Sequence, residues 1–202
     1  MCLIYKPPPK DQNFSPSISI IIPVYNEEKM IEKCLLSAIN AKYNGKKEII
    51  CVDDGSVDNT LKQIEKVQQN YPSTVKVIKF KNNRGKRQAI FSAVKESTGE
   101  IIVTLDSDTI ITEDALGYLV CSFKDNKVGA VTGAVKVFNK NENLLTRMIG
   151  VRYTLAFDFY RASQSVIKTV MVCSGVLSAY RKSLLEKIMD EWVNQKFLGL
   201  SC

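Results

Sequence analysis

In IIVTLDSDTI, residues 101–110, an apolar run ends on Asp106 and Asp108 with only Ser107 between them. Like charges this close repel, and each resists leaving water, so folding alone gives no reason for the pair. A divalent cation would: carboxylate oxygens are hard ligands, and phosphate oxygens and water can complete the shell. A second acidic pair, Asp53-Asp54, stands before Gly55 and Ser56 at the end of another apolar run. One of those carboxylates could accept hydrogen bonds from a base or ribose, and a helix cap with an Asx turn would use the same residues. Arg84, Lys86 and Arg87 surround Gly85 at a predicted helix N-terminus, where free backbone N–H groups already favour anions.

The elements that must hold these groups follow from periodicity. Ser17–Tyr25, Glu48–Asp54 and Ile101–Asp108 are buried β-branched runs, and Val75–Phe80 alternates as a half-exposed strand. Between them the spacing predicts helices over residues 26–41, capped by Asn26, over 56–71, capped by Ser56, and over 84–98, stopped by Gly99. A helix over 112–123 and a strand or hairpin over 128–138 come next. Residues 141–166 read as one long helix carrying Arg147, Arg152 and Arg161 among large apolar side chains: a core helix, or one lying on an anionic membrane or partner. Residues 170–185 read as strand, tight turn at Ser174-Gly175, strand and the start of a helix. The βαβ rhythm gives an α/β fold, a mainly parallel sheet with helices on both faces. Ligands of such sheets sit outside the carboxyl ends of the strands, where both Asp pairs fall.

Composition narrows the chemistry. The 202 residues contain no histidine, which removes histidine bases, Ser-His-Asp and Cys-His catalysis and histidine-ligated zinc. A net charge of +7 favours polyanionic partners without choosing among them. No RNP-like strand, zinc-finger spacing or helix-turn-helix signal supports nucleic acid. The six cysteines form no CxxC pair and read as reduced, buried side chains. No apolar run reaches the ~20 residues of a membrane-spanning helix. Residues 1–16, with Pro7-Pro8-Pro9 and Pro16, read as a linker without signal-peptide character, and 17–202 as the folded domain.

SIIIPVYNEE, CVDDGSVDNT, NRGKRQAI, TGEIIVTLDSDT and CSGVLSAYR occur in this order at spacings that resemble family 2 glycosyltransferases of the GT-A fold. The resemblance is strongest to processive membrane synthases of the hyaluronan and chitin type, and it covers Ser17 to the C-terminus. It implies inverting transfer from a UDP-sugar, UDP-GlcNAc and/or UDP-glucuronic acid, to a growing glycan acceptor, with Mg²⁺ or Mn²⁺ neutralising the departing diphosphate. Asp53 or Asp54 would contact the uracil, Lys86 and Arg87 would stabilise the diphosphate or hold the donor edge, Asp106 would contact both donor and metal, and Asp108 the metal. Ser174 and Gly175 fall where such enzymes shape the acceptor terminus. The parent enzyme would work at the cytoplasmic face of a membrane.

The family's general-base and Gln-x-x-Arg-Trp motifs follow the position where this chain stops, at Cys202, and Trp192 belongs to neither. Asp190 and Glu191 have the right type for a base but lie on a predicted helix away from the strand ends. A catalytic base is therefore not assigned, and two further readings stand beside the enzyme. One is a donor-binding, inactive interaction module. The other, a receiver-like phosphoacceptor domain, fits the clustered Lys86-Arg87 and paired Asp106 and Asp108 less well.

Overall fold

Strands apolar on both sides must be covered on both faces, and the alternation along β1, Ile18–Val24, shows how. The computed structural model describes residues 14–138, 141–197 and 200–201. Ile18, Ile20, Ile22 and Val24 point into one core with Ile31, Leu35, Ile64, Leu116 and Phe123. Ile21 points into a second core with Val52, Ala89, Ala93, Val94 and Met189. Helices α1 (Ile31–Asn40), α2 (Thr60–Asn70) and α4 (Ala115–Cys121) thus cover one face of the sheet, and α3 (Lys86–Glu96) and α7 (Lys182–Val193) the other.

The six-stranded sheet has the order β3-β2-β1-β4-β6-β5. β2 (Lys47–Asp53), β3 (Val75–Lys79) and β4 (Ile101–Leu105) run parallel to β1, whose neighbours are β2 and β4. β6 (Leu177–Arg181) enters antiparallel beside β4, and the short β5 (Ala130–Thr132) pairs antiparallel with β6 at the edge. This is the expected mainly parallel α/β sheet. The strand order turns back at β1 and β4, so the crevice beyond their carboxyl ends is the switch point where such sheets take ligands.

Several local expectations change. α1 starts at Ile31 rather than at Asn26, and α2 at Thr60 rather than at Ser56. Asn26 takes φ 55 and accepts from Val57 N through Oδ1 at 3.0 Å, while its own N–H donates to Ser56 Oγ at 3.0 Å. The two expected caps therefore join the β1 and β2 ends to each other. Asp58 takes over at α2, accepting from Thr60 N at 2.9 Å. Only 130–132 of the predicted 128–138 segment is strand, and residues 170–176 form no strand before β6. The long helix resolves into α5 (Leu144–Thr154), a π-helical stretch Leu155–Arg161 and α6 (Ala162–Val166). A two-residue pair, β7 (Lys196–Phe197) with β8 (Leu200–Ser201), ends the described chain. Of the proposed linker, residues 1–13 lie outside the described residues.

Candidate functional site

The parallel strands deliver their polar ends to one edge. Asp53 and Asp54 at the end of β2 are 2% and 3% exposed, too buried to be decoration. Asp54 spans two backbone donors, accepting from Arg84 N at 2.7 Å and Gly85 N at 2.8 Å. Asp53 accepts from Ser56 N at 3.3 Å, which leaves most of its lone pairs uncommitted. Asp54 thus builds the loop that leads into α3. Gly85 in that loop has φ 89, a conformation that admits glycine and strains other residues. Gly55, at φ 75, lies so close to Asn82 and Asn83 that a Cβ would stand 2.7 Å from the Asn82 carbonyl carbon. The post-β2 and pre-α3 loops are pressed together there, and α3 starts at a fixed place.

From that first position of α3, Lys86 reaches across and forms an ion pair through Nζ with Asp106 Oδ1. Asp106 is anchored from both sides: its N–H donates to Val176 O at 3.0 Å, and its carbonyl accepts from Thr109 N at 3.0 Å and Cys34 Sγ at 3.5 Å. Asp108 Oδ1 accepts from the Thr109 hydroxyl at 3.2 Å. The Ser174-Gly175 turn arrives at the same spot because β6 begins there, with Leu177 paired to Leu105. A Cβ on Gly175 would lie 3.6 Å from Lys86 Nζ. Thr132 Oγ1 accepts from Ser174 N at 3.2 Å, and Ser178 Oγ donates to Ser174 O at 2.6 Å, so the turn is braced. The structure therefore brings Lys86, Asp106, Ser174 and Gly175 together, with Asp108 beside them.

Arg87 goes elsewhere. Its guanidinium lies over the Trp192 ring of α7 at 5.6 Å, and Nη1 is buried without a hydrogen-bond partner. Asp190 and Glu191 are exposed near the end of α7. Two residues that the sequence reading did not place in the site feel its charge. Burial, then the charges of Asp108 and Asp58, push the Glu27 carboxyl up from its ordinary value. Burial and the Asp108 and Asp106 charges push the Cys34 thiol up to about 12, so it stays protonated and inert. The signal for Glu27 was its place two residues after Tyr25, at the end of the first strand.

Among the described residues, no cluster of three or more ligating side chains is ready to hold a metal alone. Asp106 and Asp108 nevertheless fit a hard divalent cation that draws its remaining oxygens from a phosphate ligand and water, the usual way Mg²⁺ is held. The negative field that reaches Glu27 and Cys34 is what such a cation complements.

A parallel α/β domain with carboxylates and a lysine at its switch point carries them where such sheets take their ligands. The particular family follows from comparison with known proteins. The chain belongs to glycosyltransferase family 2, whose profile, "Glycosyl transferase family 2", matches residues 19–189. It is 38% identical over 187 residues to an N-acetylglucosaminyltransferase of Neorhizobium galegae, covering 91% of this chain and 43% of that protein. It is also 38% identical over 189 residues to a hyaluronan synthase of Streptococcus pyogenes, covering 91% and 45%. The chain thus spans less than half the length of these relatives.

The mannosyltransferase PcManGT of Pyrobaculum calidifontis, solved with GDP-Man and Mn²⁺, superposes with a TM-score of 0.73 at 26% identity, covering 89% of this chain and 48% of that one. S. aureus TarS residues 1–349, solved with UDP, superposes at 0.52 over 88% and 49% and shares the fold alone at 24% identity. The fold is the GT-A fold, and the chain is a glycosyltransferase domain.

Proposed function

We propose that this domain binds a UDP-sugar with a divalent cation and serves inverting transfer to a growing polysaccharide of the hyaluronan or chitin kind. The observation that carries the reading is the Lys86–Asp106 ion pair beside Gly175, with Asp108 two residues further on. Mn²⁺ or Mg²⁺ held by Asp108 and Asp106 would supply positive charge against the diphosphate leaving group. Lys86, half-exposed on a flexible stem, is placed to turn from Asp106 to a diphosphate oxygen while staying at the same edge. The α3 N-terminus, fixed by Asp54, adds free N–H groups facing anions. Asp53 is the carboxylate with capacity left for a base or ribose.

Gly175 carries no side chain at this turn, and an acceptor hydroxyl would approach the donor there. In the transfer that hydroxyl oxygen bonds to the anomeric carbon, the bond to the diphosphate oxygen breaks, UDP leaves and the hydroxyl proton passes to a base. The name of the N-acetylglucosaminyltransferase relative supports GlcNAc as one donor sugar, and glucuronic acid would be the other if the product is hyaluronan. The resemblance to processive synthases supports placing the domain at the cytoplasmic face of a membrane.

Calorimetric titration of the chain with UDP, UDP-GlcNAc and UDP-glucuronic acid, each with Mn²⁺ and with chelator, tests the reading. Binding should require the metal, and Asp108→Asn should weaken it ~10-fold or more with little change in stability, since it removes one of only two carboxylate ligands. Equal binding by variant and parent would remove Asp108 from the metal site.

A further inference from the structure

A second surface of the chain is unaccounted for by donor binding. α5 opens on a capping box at Asn143, with Thr146 N donating to Asn143 Oδ1 at 2.9 Å, so its register is fixed from the first turn. One side of the helix is used within the domain: Gly150, Tyr153 and Thr154 line a cavity whose other wall is Val135–Val137. Phe157, 8% exposed and ring-to-ring with Tyr153 at 5.9 Å, continues that inner side. The other side is apolar and exposed. Leu144, Met148, Val151 and Leu155 follow one another at helical spacing and are 74%, 62%, 62% and 50% exposed.

At ~100° per residue, Arg147 falls on one flank of that stripe and Arg152 on the other, between it and the further exposed side chains Leu145 and Ile149. Neither guanidinium has an ion-pair or hydrogen-bond partner among the described residues. The next cations along the chain are already engaged. Arg161 stacks over Phe157 at 4.2 Å and donates through Nε to Val172 O at 3.3 Å, and Lys168 bonds Asp125 at 3.4 Å.

We propose that α5 lies in the interface of an anionic lipid bilayer, with Leu144, Met148, Val151 and Leu155 among the upper acyl chains and Arg147 and Arg152 at the headgroup phosphates. The charge pattern selects this occupant. An apolar stripe with unpaired arginines on both flanks matches a surface that is apolar below and anionic above. The partner helix of a coiled coil would instead meet two uncompensated positive charges unless it carried acids at both rims. No helix among the described residues is long and apolar enough to cross a membrane, so α5 would lie on the bilayer rather than span it. The inference rests on the membrane-face placement proposed above and is independent of the donor site.

Co-sedimentation of the 202-residue chain with phosphatidylglycerol–phosphatidylcholine vesicles, against pure phosphatidylcholine vesicles, is the test. The expected result is binding to the anionic vesicles that falls as salt screens the arginines. Met148→Glu with Val151→Glu should reduce it ~10-fold or more, because two acids replace two inserted apolar side chains. Arg147→Gln with Arg152→Gln should reduce it ~10-fold on anionic vesicles and leave phosphatidylcholine binding where it was. Circular dichroism and metal-dependent UDP binding should match the parent in both variants, which separates loss of docking from loss of fold or of the donor site. No sedimentation of the parent with anionic vesicles, or equal sedimentation of the Glu variant, overturns the proposal. A concentration-dependent dimer abolished by the Glu variant, without vesicle binding, would give the face to a second copy and overturn it as well.

Discussion

Asp54 separates scaffolding from ligand contact, because the two roles predict opposite patterns of loss. Its carboxylate is 3% exposed and holds the backbone N–H groups of Arg84 and Gly85 at 2.7 and 2.8 Å. Hydrogen bonds to a charged partner contribute about 1.5–3 kcal/mol each. Arg84 is exposed and Gly85 partly so, which lets water reach the freed donors after truncation, so the lower figure applies. Asp54→Ala should then cost about 3 kcal/mol for the two bonds together. Asp54→Asn keeps one acceptor but turns an amide NH₂ towards the other backbone donor, and should cost about half of that. Urea denaturation followed by circular dichroism reads both numbers, with an unchanged m-value expected because the folded state stays equally compact. Both variants should also weaken metal-dependent UDP binding, since the loop that fixes the α3 N-terminus and Lys86 is loosened. The reasoning is refuted if Asp54→Asn is as stable as the parent while UDP binding collapses. That outcome would make Asp54 a direct ligand contact and leave the loop to be held by Gly55 packing alone.

Two further outcomes concern the frame of the sheet. Burial pushes Glu48 up, but hydrogen bonds from Ser19, the Thr98 backbone, Lys76 and the Thr98 hydroxyl outweigh it and hold the carboxyl at about 2, below the ordinary 4.5. The group therefore contributes fully above pH 4.5 and loses its contribution as pH falls towards 2, a loss of about 3 kcal/mol at most. Urea midpoints between those pH values should fall more steeply for the parent than for Glu48→Gln, and parallel slopes would contradict the assignment. Gly99→Ala should cost about 1–3 kcal/mol by urea denaturation, because its Cβ would meet backbone atoms, Ser19 N at 2.5 Å and Ile18 C at 2.6 Å. Gly129→Ala, whose nearest neighbour is the movable Leu184 Cδ1 at 3.0 Å, should cost less, and equal losses would argue against backbone contact as the cause.

What the sequence made legible was local or two-sided. β1, β2 and β4 are β-branched runs buried on both faces, and such runs announce themselves without knowledge of their neighbours. Direction was not legible: β6 runs antiparallel to β4, yet LSAYR carries no pattern that distinguishes it from a parallel strand. The helix starts were misread at Asn26 and Ser56 because both residues spend their hydrogen bonds on each other's loops, 30 residues apart, where a local rule expects a cap. The site residues were legible as types at strand ends, but their pairing was not. Lys86 meets Asp106 across 20 positions, and its neighbour Arg87 turns to Trp192, a divergence set by the α3 helical turn and the docking of α7. For α5 the sequence leaves two readings open, a core helix or one lying on an anionic membrane or partner, because apolar residues on both its inner and outer sides do not show which side is covered.

The acidic pair raises the question of why the fold tolerates it. Asp106 and Asp108 differ in what stands against them: Lys86 neutralises the first, and the second has the Thr109 hydroxyl. The uncompensated charge is felt across the crevice between β1 and β4, where it adds to burial in raising both Glu27 and Cys34. Two side chains from different elements thus share one region of negative potential at the switch point of the sheet. Lys86 cannot cancel that field alone, because it pairs with Asp106 only, while the Asp108 charge still raises Glu27. The Lys86–Asp106 pair is also partly solvated, with 52% and 24% of the side-chain surfaces exposed, so it adds about 1 kcal/mol at most and does not lock the lysine in place. A weakly held lysine beside an excess of negative charge is suited to change partners. On the proposed reading its positive charge would pass to an anionic ligand once another cation took its place at Asp106, and the acidic pair and the lysine would act as one coupled device rather than two separate motifs.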